Sequence, residues 1–480
     1  SIKSGEGLTL DGSASYDVDG TIVSYEWDLN NDNIFGDVNG AVVPLSWADV
    51  EQKICGGSCQ AGSYDLGLRL TDDVNAVGVG KSSVLIDIPL SCGSVITGNA
   101  ILNSNLACSG TALKIGANKA TLDCKGHVID GAQALLSYGI ENSGGYDNIT
   151  IKNCIIKEFY IGLYSATGAN YGNIINNTIS SNTAYGVQFI GSSNNTISQN
   201  ELNDNGFNGV YLQDNSNSNI IFNNTAKRNY ATYNPGTIAG GYVIRNSYYN
   251  MLLHNTAESN LNGLYLLDSR SNDLKDNIAN DSFATGLYIS GGGSNSLMNN
   301  TLVNNEWWGI FVYGSSNNNF ISNKIINNHR EGVFLSSYVY NNNLTSNIII
   351  KNSKYGVFII SASPAYAPRD NLIFNNIFNN TRNAYDGSIN FWNITKIAGT
   401  NIIGGPFLGG NFWSDYNGTD LNGDEIGDGY LPYNSSGNIT NGGDFLPLVF
   451  PSPITCGFTI LKSFNLTSNL TCSGGVTALT

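Results

Sequence analysis

The chain has 480 residues, 41% hydrophobic and only 12% charged, with 22 Lys and Arg against 37 Asp and Glu and a net charge of −15. That length fits two to four domains. The acidic balance excludes nucleic acid as a partner, because nothing here neutralises phosphates, and no apolar run reaches the roughly 18–20 residues of a membrane span.

Asn outnumbers even the 56 Gly, and Ile, Val, Leu, Phe and Tyr recur at regular spacing between the polar residues. This reads as an extracellular β-rich protein rather than low-complexity disorder. The opening "SIKSGEGLTLDGSASYD" reads as the inside of a folded domain, so the true start is expected upstream.

Residues 1–90 join alternating strands to Asp/Asn/Gly turns ("LTLDGSASYDVDGTIVSYEWDLNNDNIFGD", then "YDLGLRLTDD" and "KSSVLIDI"). Such punctuation predicts a β-sandwich. On "SYDVDGTIVSYEWDLNND" and "YDLGLRLTDD" the stretch resembles the PKD domain, an immunoglobulin-like module of cell-surface proteins. The resemblance places Trp27 in the sandwich core and implies a spacer or adhesive module. Asp28, Asn30, Asp32 and Asp37 space oxygen ligands along a tight loop as calcium requires; an ordinary Asx-rich hairpin is the alternative.

Eight cysteines fall into four local couples: Cys55 with Cys59, Cys92 with Cys108, Cys124 with Cys154, and Cys456 with Cys472. An even count permits disulfides without fixing their connectivity. Metal binding is the rival, but His127, His254 and His329 lie near no CxxC pair. Disulfides imply an oxidising, extracytoplasmic location. Residues 91–134 read as a stapled N-terminal cap.

From Gly139 a repeat is plain. A Gly followed by an apolar or aromatic residue recurs at Gly162, Gly186, Gly209, Gly241, Gly263, Gly286, Gly309, Gly332 and Gly356, in steps mostly of 22 to 24. A second apolar position follows at Ile197, Ile220, Leu252, Leu274, Leu297 and Phe320, with polar corners such as "GSSNN" and "DSRSND" between. A fixed period in the twenties signals a solenoid. The units hold β-type runs ("GVQFI", "GVYLQ", "GLYLL", "GIFVY", "GVFLS") and no helix-length stretch. The prediction is an all-β chain whose Ig-like sandwich precedes a right-handed parallel β-helix of about ten coils over 135–403. At about 4.8 Å per strand the coils make a rod on the order of 50 Å. Corner Asn residues stack into ladders, and Gly is expected to supply turn conformations. The long step from Gly209 to Gly241 predicts an inserted loop.

Residues 404–450 ("GGNFWSDYNGTDLNGDEIGDGYLPYN", then "GGDFLPL") read as the C-terminal cap with an acidic loop. With the coils before it, this closing motif resembles the NosD-type β-helix family of archaeal surface proteins, and with the PKD likeness it points to an archaeon. Asp420, Asn422, Asp424 and Asp428, with the Ile426 carbonyl, repeat the calcium-type spacing. The family name implies copper, yet two Met, three scattered His and oxidised cysteines offer no soft-ligand site, so copper is rejected.

Fourteen N-x-S/T sequons occur, at Asn148, Asn176, Asn194, Asn223, Asn280, Asn299, Asn343, Asn379, Asn393, Asn417, Asn434, Asn438, Asn465 and Asn469, and predict surface glycosylation. The charged corners Asp268/Arg270/Asp273 and His329/Arg330/Glu331 are the candidates for a polysaccharide lyase or hydrolase, the lesser alternative; they read as solvated, so the chain is taken not to be an enzyme. Trp307 and Trp308, with Tyr138, Tyr185 and Tyr355 before other marker glycines, favour glycan binding as the alternative. The first reading is structural. "CGSVITGNAILNSNLACSG" at Cys92 returns as "CGFTILKSFNLTSNLTCSG" at Cys456, ten of nineteen positions identical. Residues 451–480 thus restart a cap that needs completing, either by the rest of a tandem module or by another copy as a docking segment; the second predicts head-to-tail assembly into a cell-surface filament, sheath or S-layer-like array.

Overall fold

A computed structural model describes residues 1–57, 59, 62–230 and 238–450. Two compact units divide the chain, Ser1–Glu201 and Leu202–Thr480. The repeated cap at 451–480, with Cys456, Cys472, Asn465 and Asn469, lies outside the described residues, as does the assembly expected from it.

The first unit opens with a five-stranded sheet in the order Ile2–Lys3, Val77–Asp87, Gly62–Asp72, Ile22–Asp28, Val38–Asn39. Its first pair is parallel and the rest antiparallel. Leu8–Asp11 pairs with Val42–Leu45 as a separate antiparallel ribbon. Leu10, Trp27, Leu29, Leu45, Val50, Leu66 and Ile86 form one core. Trp27 is buried, and its Nε1–H donates to the Gly40 carbonyl at 3.0 Å. Beside this core Cys55 is bonded to Cys59.

A right-handed parallel β-solenoid of about thirteen turns follows. Three short strands make a turn, and like strands of successive turns pair in parallel. The first unit carries five turns, beginning with Ser94–Ile96, Asn99–Ile101 and Leu106–Ala107. The second carries eight, ending with Arg382–Asp386, Ile389–Phe391 and Phe412–Trp413. The ten turns expected were too few because the end turns lack the marker. Gly139 has Ala112 as its equivalent one turn earlier, and the last turn places Asn383 there. Residues 91–134 are themselves turns of the solenoid, closed by Cys92–Cys108 and, reaching the next turn, Cys124–Cys154.

Side chains alternate in and out along each strand. Leu287 and Ile289, Ile310 and Val312, Val333 and Leu335, Val357 and Ile359 point inward and are buried. Each contributes roughly 1.5–3 kcal/mol by burial. One inward position differs from expectation: Ile221, not Ile220, aligns with Leu252 and is buried, because the corner after Gln213 is one residue longer.

Buried asparagines run up the interior of the second unit. From Asn224 through Asn255, Asn277, Asn300, Asn323, Asn347 and Asn376 to Asn411, each Nδ2–H₂ donates to the Oδ1 of the next at 2.9–3.1 Å. Each backbone N–H donates to the same oxygen. The residue before each ladder Asn is left-handed, with φ of 53–60° at Asn223, His254, Asp276, Asn299, Ser322, Ser346 and Asn375. A second run from Asn250 to Asn390 behaves alike.

Both runs end on a carboxylate, which accepts and does not donate when ionised. Asp444 takes the Asn411 N–H at 2.7 Å and the Trp413 Nε1–H at 2.8 Å. Asp386 takes the Asn390 amide at 3.1 Å and the Trp392 Nε1–H at 3.0 Å. Burial raises both, Asp444 up to about 6.

None of the marker glycines has a positive φ, so they do not serve the turn geometry expected of them. They serve close approach. A Cβ on Gly309 would lie 2.4 Å from Ile325 Cγ2, 2.7 Å from the Gly332 carbonyl oxygen and 2.8 Å from Asn328 Nδ2. The space a side chain would need is occupied by the next turn's backbone and the asparagine ladder.

Candidate functional site

Two residues after each marker Gly, the strand turns a side chain outward. From the third turn of the second unit on, those positions are Tyr265, Tyr288, Phe311, Phe334, Phe358 and Tyr385, in register turn by turn; Tyr211 and Val243 hold them in the two turns before and are buried. Their ring centroids follow one another at 4.5, 4.9, 5.1, 5.2 and 5.0 Å. Tyr265 is covered, and burial raises its hydroxyl; the other five are half-buried. Aromatic pairs of this kind add about 0.5–1.5 kcal/mol each beyond area burial.

A second file of residues runs along the neighbouring corner. Trp308 stacks on Phe311 at 4.6 Å and Tyr355 on Phe358 at 5.0 Å. Trp308 Nε1–H donates to Glu331 Oε2 at 2.7 Å, and this carboxylate is buried. Arg330 lies over the Trp307 ring at 5.1 Å, and Arg382 over Tyr355 at 5.4 Å while donating to its hydroxyl at 2.9 Å. Trp307 packs with Phe207 against the buried Ala239, Leu261 and Ala284.

The structure brings together His329, Arg330, Glu331, Trp307, Trp308 and Tyr355 from among the sequence candidates. Tyr138 stands apart in the first unit, stacked on Tyr164 at 5.0 Å. Arg270 lies over Tyr248, away from this face. Sequence reasoning missed the main stripe by inspecting the residue before each marker Gly rather than the second one after it. The signal was present in "GLYLL", "GLYIS", "GIFVY", "GVFLS" and "GVFII".

The two acidic loops fold alike. Asp28 accepts the N–H of Asp32 and Asn33, and Asp420 that of Asp424 and Glu425. Asn30 and Asn422 accept the same Asp32 and Asp424 N–H groups. Asp32 and Asp424 accept from Ile34 and Ile426, while Asp37 and Asp428 accept from Leu29 and Leu421. Asp424 also pairs with Lys396. Among the described residues no three His, Cys, Asp or Glu side chains form a metal-holding group. The sequons at Asn148, Asn176, Asn194, Asn223, Asn299, Asn379, Asn417 and Asn434 place the acceptor at exposed positions, whereas Asn280, Asn343, Asn393 and Asn438 are partly covered.

The family profile described as "Periplasmic copper-binding protein (NosD)" matches residues 86–306 and 227–418. The chain belongs to the NosD family. Three disulfides agree with the periplasmic or extracellular setting of that family. Copper does not fit the residues present in this NosD-family chain. The six described cysteines are oxidised, and Met251 and Met298 stand on different positions of their strands. No curated protein sequence matches the chain.

Similar solved structures include the A-module of the Azotobacter vinelandii mannuronan C-5 epimerase AlgE6 (15% identity, 64% of this chain and 88% of that one, TM-score 0.44). A GH87 α-1,3-glucanase catalytic domain is similar at 15% identity, with 63% of this chain and 61% of that one covered and a TM-score of 0.40. The Yersinia enterocolitica family 28 exopolygalacturonase follows at 10% identity, 81% and 96% coverage and TM-score 0.39. These neighbours correct the sequence reading that the chain is not an enzyme. They are an epimerase, a glucanase and an exopolygalacturonase. At such identities the likeness shows the fold, and no activity passes from them to this chain.

Among the described residues no helix is long and apolar enough to cross a membrane.

Proposed function

We propose that this protein is an extracytoplasmic, surface-exposed solenoid that binds polysaccharide along the aromatic face of its second unit. The observation that carries the reading is the in-register run Tyr288, Phe311, Phe334, Phe358 and Tyr385, flanked by Trp308 and Tyr355. A contiguous apolar stripe on an outer surface marks an interaction site. Sugar rings present C–H faces to aromatic rings, and a polymer with a regular repeat meets a platform with a regular repeat. The rings hold one another in place, so little side-chain freedom is lost on binding.

Affinity electrophoresis through gels containing a panel of polysaccharides tests this. The wild type should be retarded by at least one polymer, and Trp308→Ala and Phe334→Ala much less so, with unchanged far-ultraviolet dichroism. Retardation by none of them, or equal retardation of both variants, overturns it. Sizing the polymer after incubation separates retention from cleavage.

The N-terminal sheet and ribbon serve as the PKD-type spacer, a reading supported by the buried Trp27. Calcium in the two acidic loops is a separate proposal, supported by their matching hydrogen-bond patterns. Removing calcium with a chelator should then lower the melting temperature, and no change would reject it.

A further inference from the structure

We infer that the polymer recognised by the aromatic face is anionic, its carboxylate or sulfate groups being read by Arg330, Lys354 and Arg382. This rests on the glycan-binding reading above. The three cations occupy successive turns: the Lys354 N–H donates to the Arg330 carbonyl at 3.1 Å, and the Arg382 N–H to the Lys354 carbonyl at 3.0 Å. All three are exposed beside half-buried rings. A chain with 22 Lys and Arg and a net charge of −15 has few cations, yet here it places one on each of three consecutive turns. Arg330 and Lys354 stand at the corner before their strands and Arg382 opens its own, in register with Tyr355, so three like charges gather along one edge of the face. An opposite charge brought by a ligand relieves that repulsion.

Local carboxylates meet only part of the demand, pairing Lys354 alone of the three. Glu331 is buried, accepts from Trp308 and lies 3.9 Å from Lys354. Glu306 is paired with His329 at 3.0 Å. Among the described residues neither Arg330 nor Arg382 has a carboxylate within ion-pairing distance. Both guanidinium groups instead lie over aromatic rings, at 5.1 Å from Trp307 and 5.4 Å from Tyr355. That arrangement orients the planar donors and leaves edge N–H groups for bidentate contact with an oxyanion. Turns repeat at about 4.8 Å, commensurate with one sugar residue of an extended chain. One acidic group per sugar thus meets one cation per turn, while the sugar ring lies on the aromatic stripe.

The test uses the full chain with polygalacturonate, the same polymer methyl-esterified, and dextran sulfate, each at low and high salt. Polygalacturonate, dextran sulfate or both should bind, and weaken as salt rises. Preference for one of the two assigns carboxylate or sulfate. Esterification should reduce binding at least tenfold. The triple variant Arg330→Gln/Lys354→Gln/Arg382→Gln should lose at least tenfold for the anionic polymer and nothing for a neutral one, whereas Trp308→Ala weakens every polymer bound. Equal binding of esterified and acidic polymer, or an unaffected triple variant, overturns the anionic assignment and leaves glycan binding standing. Failure of the wild type to bind any polymer overturns both. The acidic protein repels polyanions in general, so retention reports the local edge.

Discussion

Replacing Asn300 by Ala removes one rung of the buried amide ladder. The Asn300 Oδ1 accepts the Asn277 N–H at 3.0 Å and the Asn277 Nδ2–H₂ at 3.0 Å. Its own Nδ2–H₂ donates to the Leu274 carbonyl at 2.8 Å and to Asn323 Oδ1 at 3.0 Å. Alanine therefore strands the Asn277 N–H and leaves three further groups with one partner fewer. A buried polar group without its partner costs about 1–3 kcal/mol, and the lost amide volume adds to that, so the expected loss is about 3–5 kcal/mol. The neighbouring Asn299, exposed at φ 56°, is the control. Asn299→Gly keeps the left-handed corner without strain and should change stability by less than about 1 kcal/mol. Urea denaturation followed by circular dichroism measures both. If Asn300→Ala and Asn299→Gly unfold within about 1 kcal/mol of each other, the ladder is not what stabilises the turns, and the reasoning fails.

Burial pushes the Asp444 carboxyl up to about 6, above the unfolded value of about 3.9. The folded state thus holds this proton more tightly, so stability should rise as pH falls through 6 and level off below about 4; Asp444→Asn should flatten that segment of the urea-midpoint profile. A further amide file runs from Asn305 through Asn328 and Asn352 to Asn380; Ser282 precedes Asn305 in it, and its buried Oγ has no partner among the described residues. A Cβ built on Gly263 stands 3.4 Å from that oxygen, and Ser282→Asn should extend into this space and raise the melting temperature, by roughly 1 kcal/mol of hydrogen bonding. Gly309→Ala should cost upwards of about 2 kcal/mol through its three short contacts, whereas Gly314→Asn, at a corner with φ 60° where a Cβ meets only the Gly291 nitrogen at an ordinary 3.9 Å, should be tolerated in the same melting assay. Cys92→Ser with Cys108→Ser opens a loop of separation 16 and should cost about 3 kcal/mol, read as a lower urea midpoint than the wild type under non-reducing conditions.

The period, the parallel β-helix and three disulfide pairs were legible because each is written locally: a Gly every 22 to 24 residues, or two cysteines a short loop apart. Facing was harder. One added corner residue shifts the inward position from Ile220 to Ile221, and alternation then reverses which neighbour meets the core. The aromatic stripe was hidden for the same reason. An aromatic one residue after the marker points inward, as at Tyr242, while one two residues after points outward, as at Tyr265 and its successors. The acidic ladder ends could not be read at all. Asp444 meets Asn411 across 33 residues of cap, a pairing no repeat announces.

Because every amide in a ladder passes its hydrogen bond onward in one direction, the interior of the second unit has a polarity independent of which turn is considered. A copied 23-residue segment such as the one from Asn277 to Asn300 supplies the donor and the acceptor its neighbours expect. Lengthening by duplication is therefore chemically silent anywhere along the run. Truncation is not, since a shortened chain still requires an aspartate to receive the final amide, and the acidic terminator must travel with whichever turn comes last.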